Sequence, residues 1–429
     1  MADYDAIVVG AGVSGSTAAY CMAKAGMSVL ILDRGDTAGS KNVTGGRLYA
    51  HSLEKIIPGF ADEAPVERRV VRETISMMTA ESSFNIDFHS SRFAADPKQA
   101  SYTVLRSAFD AWLTGKAEEA GCDVVSPARV DDLLRQDGKI VGVIAGEDEL
   151  TADVVILADG VNSLLAQRAG LKKELAPHQV GVGCKEVIEL PKNVINDRFG
   201  LEDGEGMARL MAGAPSQGMM GGAFLYTNKE SLSLGLIMGV GDIAKSPTRL
   251  PDMLETLKAH PAIKPLIAGG KLAEYSAHLV PEAGIHMMPD IAADNLMVVG
   301  DAAGFCINLG FTVRGMDYAI ASGEAAAQTA IEAKSKGDYS NATLGGYKTR
   351  LEQGIVLKDL ATYSRAPHFI EHTTRLYKEY PEMVEKIFMQ MFTMDGEPAK
   401  KMLWKMLPII REAGMFNLMK DGMKGAGAI

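Results

Sequence analysis

The sequence is short of cysteine: four in 429 residues, at positions 21, 122, 184 and 306, with no Cys-x-x-Cys and no paired histidine beside them. That scatter excludes a zinc site or an iron-sulfur cluster built from this chain, because both need clustered thiolates. A long apolar run is also missing. The longest uncharged stretch, residues 210–228, is broken by Pro215, Ser216, Gln217 and four glycines, which excludes a spanning helix there. Basic residues are outnumbered, 44 Lys and Arg against 54 Asp and Glu, and a net charge of −10 argues against nucleic acid as a partner. The first five residues carry two acids and lead straight into an apolar run, which is no signal peptide. A reducing cytoplasmic location is expected.

What is present suits a globular chain: 47% hydrophobic residues, 23% charged, 45 Gly and 17 Pro. At this length about three quarters of the unfolded surface can be buried, so neither disulfide nor structural metal is needed. Charge is uneven. Residues 340–429 hold 13 basic and 10 acidic residues, net +3, which leaves −13 on residues 1–339.

Residues 4–9 (YDAIVV) form a short apolar run closed by the turn GAGVSG at 10–15. An Ala-rich stretch at 16–25, a stop at Gly26 and a second apolar run at 29–32 ending in Asp33 complete the pattern. This predicts a βαβ unit. Two later segments repeat the strand-then-turn pattern, residues 152–158 ending in Asp159-Gly160 and 296–299 ending in Gly300-Asp301, and 317–334 reads as a long helix. Between them residues 175–290 alternate apolar and polar residues, as in 231–236 (SLSLGL), which suits an antiparallel sheet with one solvated face. From residue 341 the chain turns helical and holds 9 of the 24 methionines.

The expected architecture is therefore α/β. A Rossmann-like dinucleotide-binding domain, similar to FAD-binding domains of the glutathione-reductase and hydroxylase type, is split into residues 1–174 and 291–339, an antiparallel β domain is inserted at 175–290, and a helical Met-rich region follows at 340–429.

In the strand-turn-helix context, Gly10 permits the tight turn, Gly12 lets backbone approach a pyrophosphate, and Gly15 lets helix and strand pack closely. The pyrophosphate rests on the helix N-terminus, and Asp33 can accept from ribose hydroxyls. Alone this fingerprint fits FAD or NAD. Gly300-Asp301 separates them, since a second strand-end carboxylate can bind the ribityl chain that NAD lacks. Arg106 is either a fixed charge for the FAD phosphates or a partner of Asp110. Gly315 opens the last long helix, whose N–H groups and dipole can stabilise charge on a reduced flavin. Ala11 and Ser14 in the turn, Arg34 after Asp33, and Asp159 at a strand end complete the candidate cofactor set.

Residues 8–15 (VVGAGVSG), 40–48 (SKNVTGGRL), the segment around Arg106, 299–305 (VGDAAGF), 313–323 (VRGMDYAIASG) and the tail 420–425 (KDGMKG) together resemble the FixC flavoproteins. These are related to electron transfer flavoprotein:quinone oxidoreductases and, more distantly, to geranylgeranyl reductases. The likeness spans the full length. It implies FAD bound by Gly10, Gly12, Gly15, Asp33, Arg106, Gly300, Asp301, Gly315 and Met316, with Gly45 and Gly46 beside it. The larger quinone oxidoreductases carry a cysteine-rich cluster domain at the C-terminus, which this sequence lacks, so the resemblance implies a separate ferredoxin-like (FixX-like) iron-sulfur protein.

The resemblance implies an FAD-dependent oxidoreductase passing electrons from electron transfer flavoprotein subunits (FixA- and FixB-like) to a membrane quinone in a FixABCX-like system, cytoplasmic or peripheral on the inner face of the membrane. An alternative on the same fold is a reductase or hydroxylase of a bound isoprenoid-like substrate; a third is an FAD-containing docking subunit. No second Gly-rich βαβ unit for NAD(P)H is present, which favours electrons from a protein. No Ser-His-Asp or paired-carboxylate constellation appears. In residues 400–411 lysines and Arg411 interleave with Met402, Leu403, Trp404, Met406, Leu407, Ile409 and Ile410 around Pro408. Such a segment can lie on an anionic membrane, pack into the core, or dock the ferredoxin-like partner.

Overall fold

The computed structural model describes residues 2–41, 46–90, 92, 96–396, 398 and 401–429. Its opening apolar run is the strand Tyr4–Val9, flanked in parallel by Val29–Leu32 and Asp148–Leu157. Val29–Leu32 is buried throughout, as a parallel strand covered on both faces must be. Asp123–Val125 and Leu296–Val298 extend the sheet in the same direction on either side. Strands far apart in sequence therefore end at one edge, where α/β sheets of this kind place their ligands. Helices Val13–Lys24 and Met316–Lys336 cross so closely that a Cβ on Gly323 would lie 2.3 Å from the carbonyl oxygen of Ser14.

A second, nine-stranded sheet carries the other half of the molecule. Five of its strands, Val180–Glu189, Glu205–Gly213, Gly221–Thr227, Ser231–Gly239 and Lys271–Pro281, lie in the region read as β from the sequence. Four others come from before residue 175: Arg47–Tyr49, Val66–Met78, Ser83–His89 and Ser101–Val104. The two sets join where Val66–Met78 runs parallel to Glu205–Gly213, the one parallel pairing among otherwise antiparallel neighbours in this sheet.

The expectation of a solvated face fails at Ser231–Gly239. Leu232, Leu234, Leu236 and Met238 pack with Met253, Leu254 and Leu257 of the helix Leu250–Ala259. The opposite face is buried as well: Ser233 accepts from Asn228 Nδ2 at 3.0 Å, and Gly235 lies under the Phe224 ring, where a Cβ would meet Cζ at 2.4 Å. That second face closes over a cleft instead of meeting water.

After the long helix ends at Gly337, in the left-handed conformation (φ 63°), every element among the described residues is a helix. The helix Met402–Glu412 runs through Pro408 and buries none of its residues. Leu403 and Trp404 are 63% and 69% exposed, and in the next helix, Met415–Ala426, Phe416, Met419 and Met423 are 76%, 63% and 69% exposed. This face is not core. Among the described residues no helix is long and apolar enough to cross a membrane.

Candidate functional site

The glycine turn is built by backbone crowding. Gly10 has φ 105°, its N–H donates to Leu32 O at 2.8 Å, and a Cβ on it would lie 2.4 Å from Ala158 O. A Cβ on Gly15 would lie 2.0 Å from Gly10 O. Only glycine fits either place. Asp33 holds the turn from the neighbouring strand end, accepting from Ala11 N at 2.8 Å and from Gly35 N at 2.7 Å. Each carboxylate oxygen keeps further acceptor capacity for a ribose hydroxyl. Gly12 caps the helix Val13–Lys24, whose first turn carries no acidic residue, so its N–H groups present an unopposed positive end to an anion.

A cleft of about 500 Å³ opens from this helix end. Gly12, Ser14, Gly46, Arg106, Asp301, Gly315 and Met316 all line it, so residues spread over most of the sequence share one wall. Gly300 (φ 59°) stands behind Asp301, pressed against Ser14, where a Cβ would meet Oγ at 2.6 Å. Gly46 lies against Tyr226, where a Cβ would meet the ring at 2.7 Å. Arg34 is exposed outside the cleft. Asp159 lies between two lining residues, Ala158 and Gly160, and accepts from Ser163 Oγ at 2.7 Å. Gly45 lies outside the described residues.

Arg106 has Asp110 as its partner, one of the two readings open to it from the sequence, and it also lines the cleft. The pairing is bidentate (2.7 Å for each bond), with the aspartate side chain fully buried. Burial works against its charge, but Asp110 and the field of Asp301 more than offset this and raise its pKa. Burial pushes the Asp301 carboxyl up, against the pull of Arg106, His278 and Lys172. Burial likewise raises Asp159, against its hydrogen bond from Ser163.

Lys172, Glu282, Asn308 and Tyr377 carry no sequence signal, whereas Arg314 and Asp421 lie inside quoted motifs. Lys172 is 7% exposed, and its Nζ donates to the carbonyls of Val161 (2.6 Å) and Ala302 (3.0 Å), linking the turns that hold Asp159 and Asp301. Desolvation lowers its pKa to about 8. Glu282, Cys306, Asn308 and Tyr377 also line the cleft, with Phe311, Phe369, Ile370, Leu376 and Ile429. Arg314, inside the motif at 313–323, binds Asp317 Oδ2 (2.6 and 2.8 Å) and Asp359 Oδ2 (2.6 Å) and stacks on Tyr318 with 4.3 Å to the ring centre. In the tail, Asp421 accepts from Arg375 (2.8 and 2.9 Å) and from Tyr380 OH (2.5 Å), anchoring the last helix.

The donor set suits FAD: a helix end and Arg106 for the phosphates, strand-end carboxylates for the sugars, and backbone at Gly46 and Gly315 where side chains would fill the space. Fold and cleft together define an FAD-dependent oxidoreductase, and the family pattern described as FAD dependent oxidoreductase matches residues 5–187 and, in a second version, 103–329. The ETF-QO/FixC family C-terminal domain matches residues 366–429. A probable electron transfer flavoprotein-quinone oxidoreductase, YdiS of Escherichia coli K12, is 55% identical over 99% of both chains. Protein FixC of Salmonella typhi is 52% identical over 98% of both. The chain belongs to the ETF-QO/FixC family. Among solved structures it resembles a geranylgeranyl bacteriochlorophyll reductase-like protein of Thermoplasma acidophilum (TM-score 0.73, 23% identity, 98% of this chain and 99% of the other) and the flavin-dependent brominase Bmp2 (TM-score 0.65, 14% identity, 97% and 99%). At these identities the likeness is one of fold.

Proposed function

We propose that this oxidoreductase takes electrons from an electron transfer flavoprotein and passes them to a membrane quinone, in a FixABCX-like system with a separate ferredoxin-like protein. One observation carries the reading. The cleft that starts at the glycine turn is finished by side chains of the C-terminal region, Phe369, Ile370, Leu376, Tyr377 and Ile429, and that same region presents the exposed apolar helices Met402–Glu412 and Met415–Ala426. A lipid-soluble ring can thus reach the cleft from an interface on which those helices lie, with Trp404 at headgroup depth and Lys401, Lys405 and Arg411 toward lipid phosphates. Lys400, part of the same basic group, lies outside the described residues.

Bound FAD supplies the two-electron redox chemistry. The chain's own residues do the holding. Gly12 and the first turn of Val13–Lys24 receive the pyrophosphate, Arg106 adds a charge kept in place by Asp110, Asp33, Asp159 and Asp301 take sugar and ribityl hydroxyls, and Gly315 and Met316 bring the N-terminus of the long helix to the ring. Phe224 and Ile237 add apolar surface to the cleft wall.

The test is the reduction of the FAD-loaded chain by reduced electron transfer flavoprotein and, separately, by NADH, each followed by transfer to a short-chain quinone. Reduction by the flavoprotein and slow reaction with NADH are expected. Rapid bleaching by NADH with no quinone turnover would favour the reductase or hydroxylase reading, for which the apolar cleft also offers room to an isoprenoid chain.

A further inference from the structure

Within the cleft one side chain is out of keeping with its surroundings. Glu282 follows the strand Lys271–Pro281 and is fixed by its backbone, whose N–H donates to Gln179 O at 2.9 Å. It lines the cleft after Val280 and Pro281, in a wall that also holds Phe369, Ile370 and Leu376. Among the described residues its carboxyl accepts one hydrogen bond, a long contact from Asn308 Nδ2 at 3.4 Å, and neither lysine nor arginine pairs with it. A carboxylate half-buried in an apolar wall with no cation beside it is poorly solvated, so the neutral acid is the favoured form.

We propose that Glu282 is the acid that protonates the quinone in this cleft. The assignment rests on the quinone reading above. Reduction of a quinone to the quinol takes two electrons and two protons. The electrons come from the reduced flavin. The O–H bond of Glu282 breaks as a new O–H bond forms on one quinone carbonyl oxygen, the electron pair of the broken bond stays on the carboxylate, and water entering the cleft restores the proton. Water supplies the second proton to the other oxygen.

The groups facing Glu282 leave this role to it. Cys306 and Asn308 come from the segment leading into the hairpin Ile307–Asn308 and Val313–Arg314, and Tyr377 comes from the turn Thr374–Tyr377. Burial and nearby carboxylates push the Cys306 thiol well up, and burial does the same to the Tyr377 hydroxyl, so both stay neutral. Asn308 does not titrate. Burial raises Glu282 to about 7, where an acid can both give and regain a proton near neutral pH.

The experiment uses the FAD-loaded full chain, a short-chain ubiquinone analogue, and the variants Glu282→Gln and Glu282→Asp. Quinone turnover by the unaltered chain should fall as pH rises through about 7. In Glu282→Gln it should be slower by roughly 100-fold and flat across that range. Glu282→Asp should keep the pH profile at a reduced rate. Infrared difference spectra on adding the quinone, without turnover, should show a protonated-carboxyl band shift that Glu282→Gln abolishes. A Gln variant that binds the quinone and keeps both rate and pH profile would overturn the assignment and leave the quinone reading standing. An unaltered chain that neither binds nor reduces the quinone would remove that reading and the assignment with it.

Discussion

Lys172 donates a hydrogen bond of 3.0 Å to the carbonyl oxygen of Ala302, one residue beyond Asp301. With its second bond, to Val161, it ties together two strand-end turns that lie 130 residues or more apart in sequence and places one cation between the carboxylates of Asp159 and Asp301. Both aspartates are raised by burial, so removing the cation leaves two acids and two carbonyls without their common partner.

Lys172→Met should therefore weaken FAD binding by about 10- to 100-fold, the equivalent of one to two lost hydrogen bonds to a charged donor. Titration of the apoprotein with FAD by flavin fluorescence measures it. Adding Asp159→Asn should recover part of the loss, because one uncompensated carboxylate is then gone. Unchanged affinity in the single variant would show that the two turns hold their positions without the lysine.

A second expectation follows from Asp421, which is 5% exposed and bound to Arg375 and Tyr380. Asp421→Ala strands a partly exposed arginine and a tyrosine hydroxyl, for a cost of about 2 kcal/mol after allowing for solvent around Arg375. The loss should be local. Limited proteolysis should cut the helix Met415–Ala426 first while FAD stays bound, and simultaneous loss of both would mean that the tail and the nucleotide domain unfold as one unit.

The pH dependence of stability gives a third test, independent of any substrate. Glu282 is raised from its ordinary value to about 7, so the folded chain binds a proton that the unfolded chain releases between about pH 4.5 and 7. Its contribution is present below the unfolded value and is lost as pH rises through the folded one. Relative to Glu282→Gln, the unaltered apoprotein should lose up to about 3 kcal/mol between pH 5 and 8. Denaturant titrations at a series of pH values in the two proteins give the difference. Parallel curves would place Glu282 in water.

The nucleotide-binding elements were legible because their chemistry is local. The spacing of Gly10, Gly12 and Gly15 between two apolar runs, and Gly300-Asp301 after a third, is a local pattern, and at Gly10 and Gly15 it records backbone crowding that no other residue permits. The first half of the second sheet was not legible. Its long strand Val66–Met78 (VERRVVRETISMM) carries five charged residues, and Arg68, only 2% exposed, reads from the sequence as a solvated residue. Its partners, Asn228 O, Asn196 Oδ1, Glu205 O and Lys229 O, lie 128 to 161 residues away. Lys172 and Glu282 escaped notice for the same reason, since burial of a single charge is set by tertiary neighbours and leaves no periodicity. The Met-rich helices failed differently: an apolar stripe has the same spacing whether it meets the core, a lipid or another protein.

That last ambiguity can be decided on the exposed face itself. Leu403, Trp404, Phe416, Met419 and Met423 are each more than 60% exposed on two consecutive helices, more clustered apolar surface than scattered surface residues account for. Lys401, Arg411, Lys420 and Lys424 are exposed on the same helices or at their start, the arrangement that favours an anionic interface. The purified chain should float with anionic liposomes at low salt and less with neutral ones. Trp404→Ser with Phe416→Ser should reduce flotation by about 10-fold or more, since two large apolar side chains no longer leave water. Because neither residue lines the cleft, FAD content should stay the same. Flotation unchanged by the double variant would assign this face to a protein partner, and no association with any liposome would do the same.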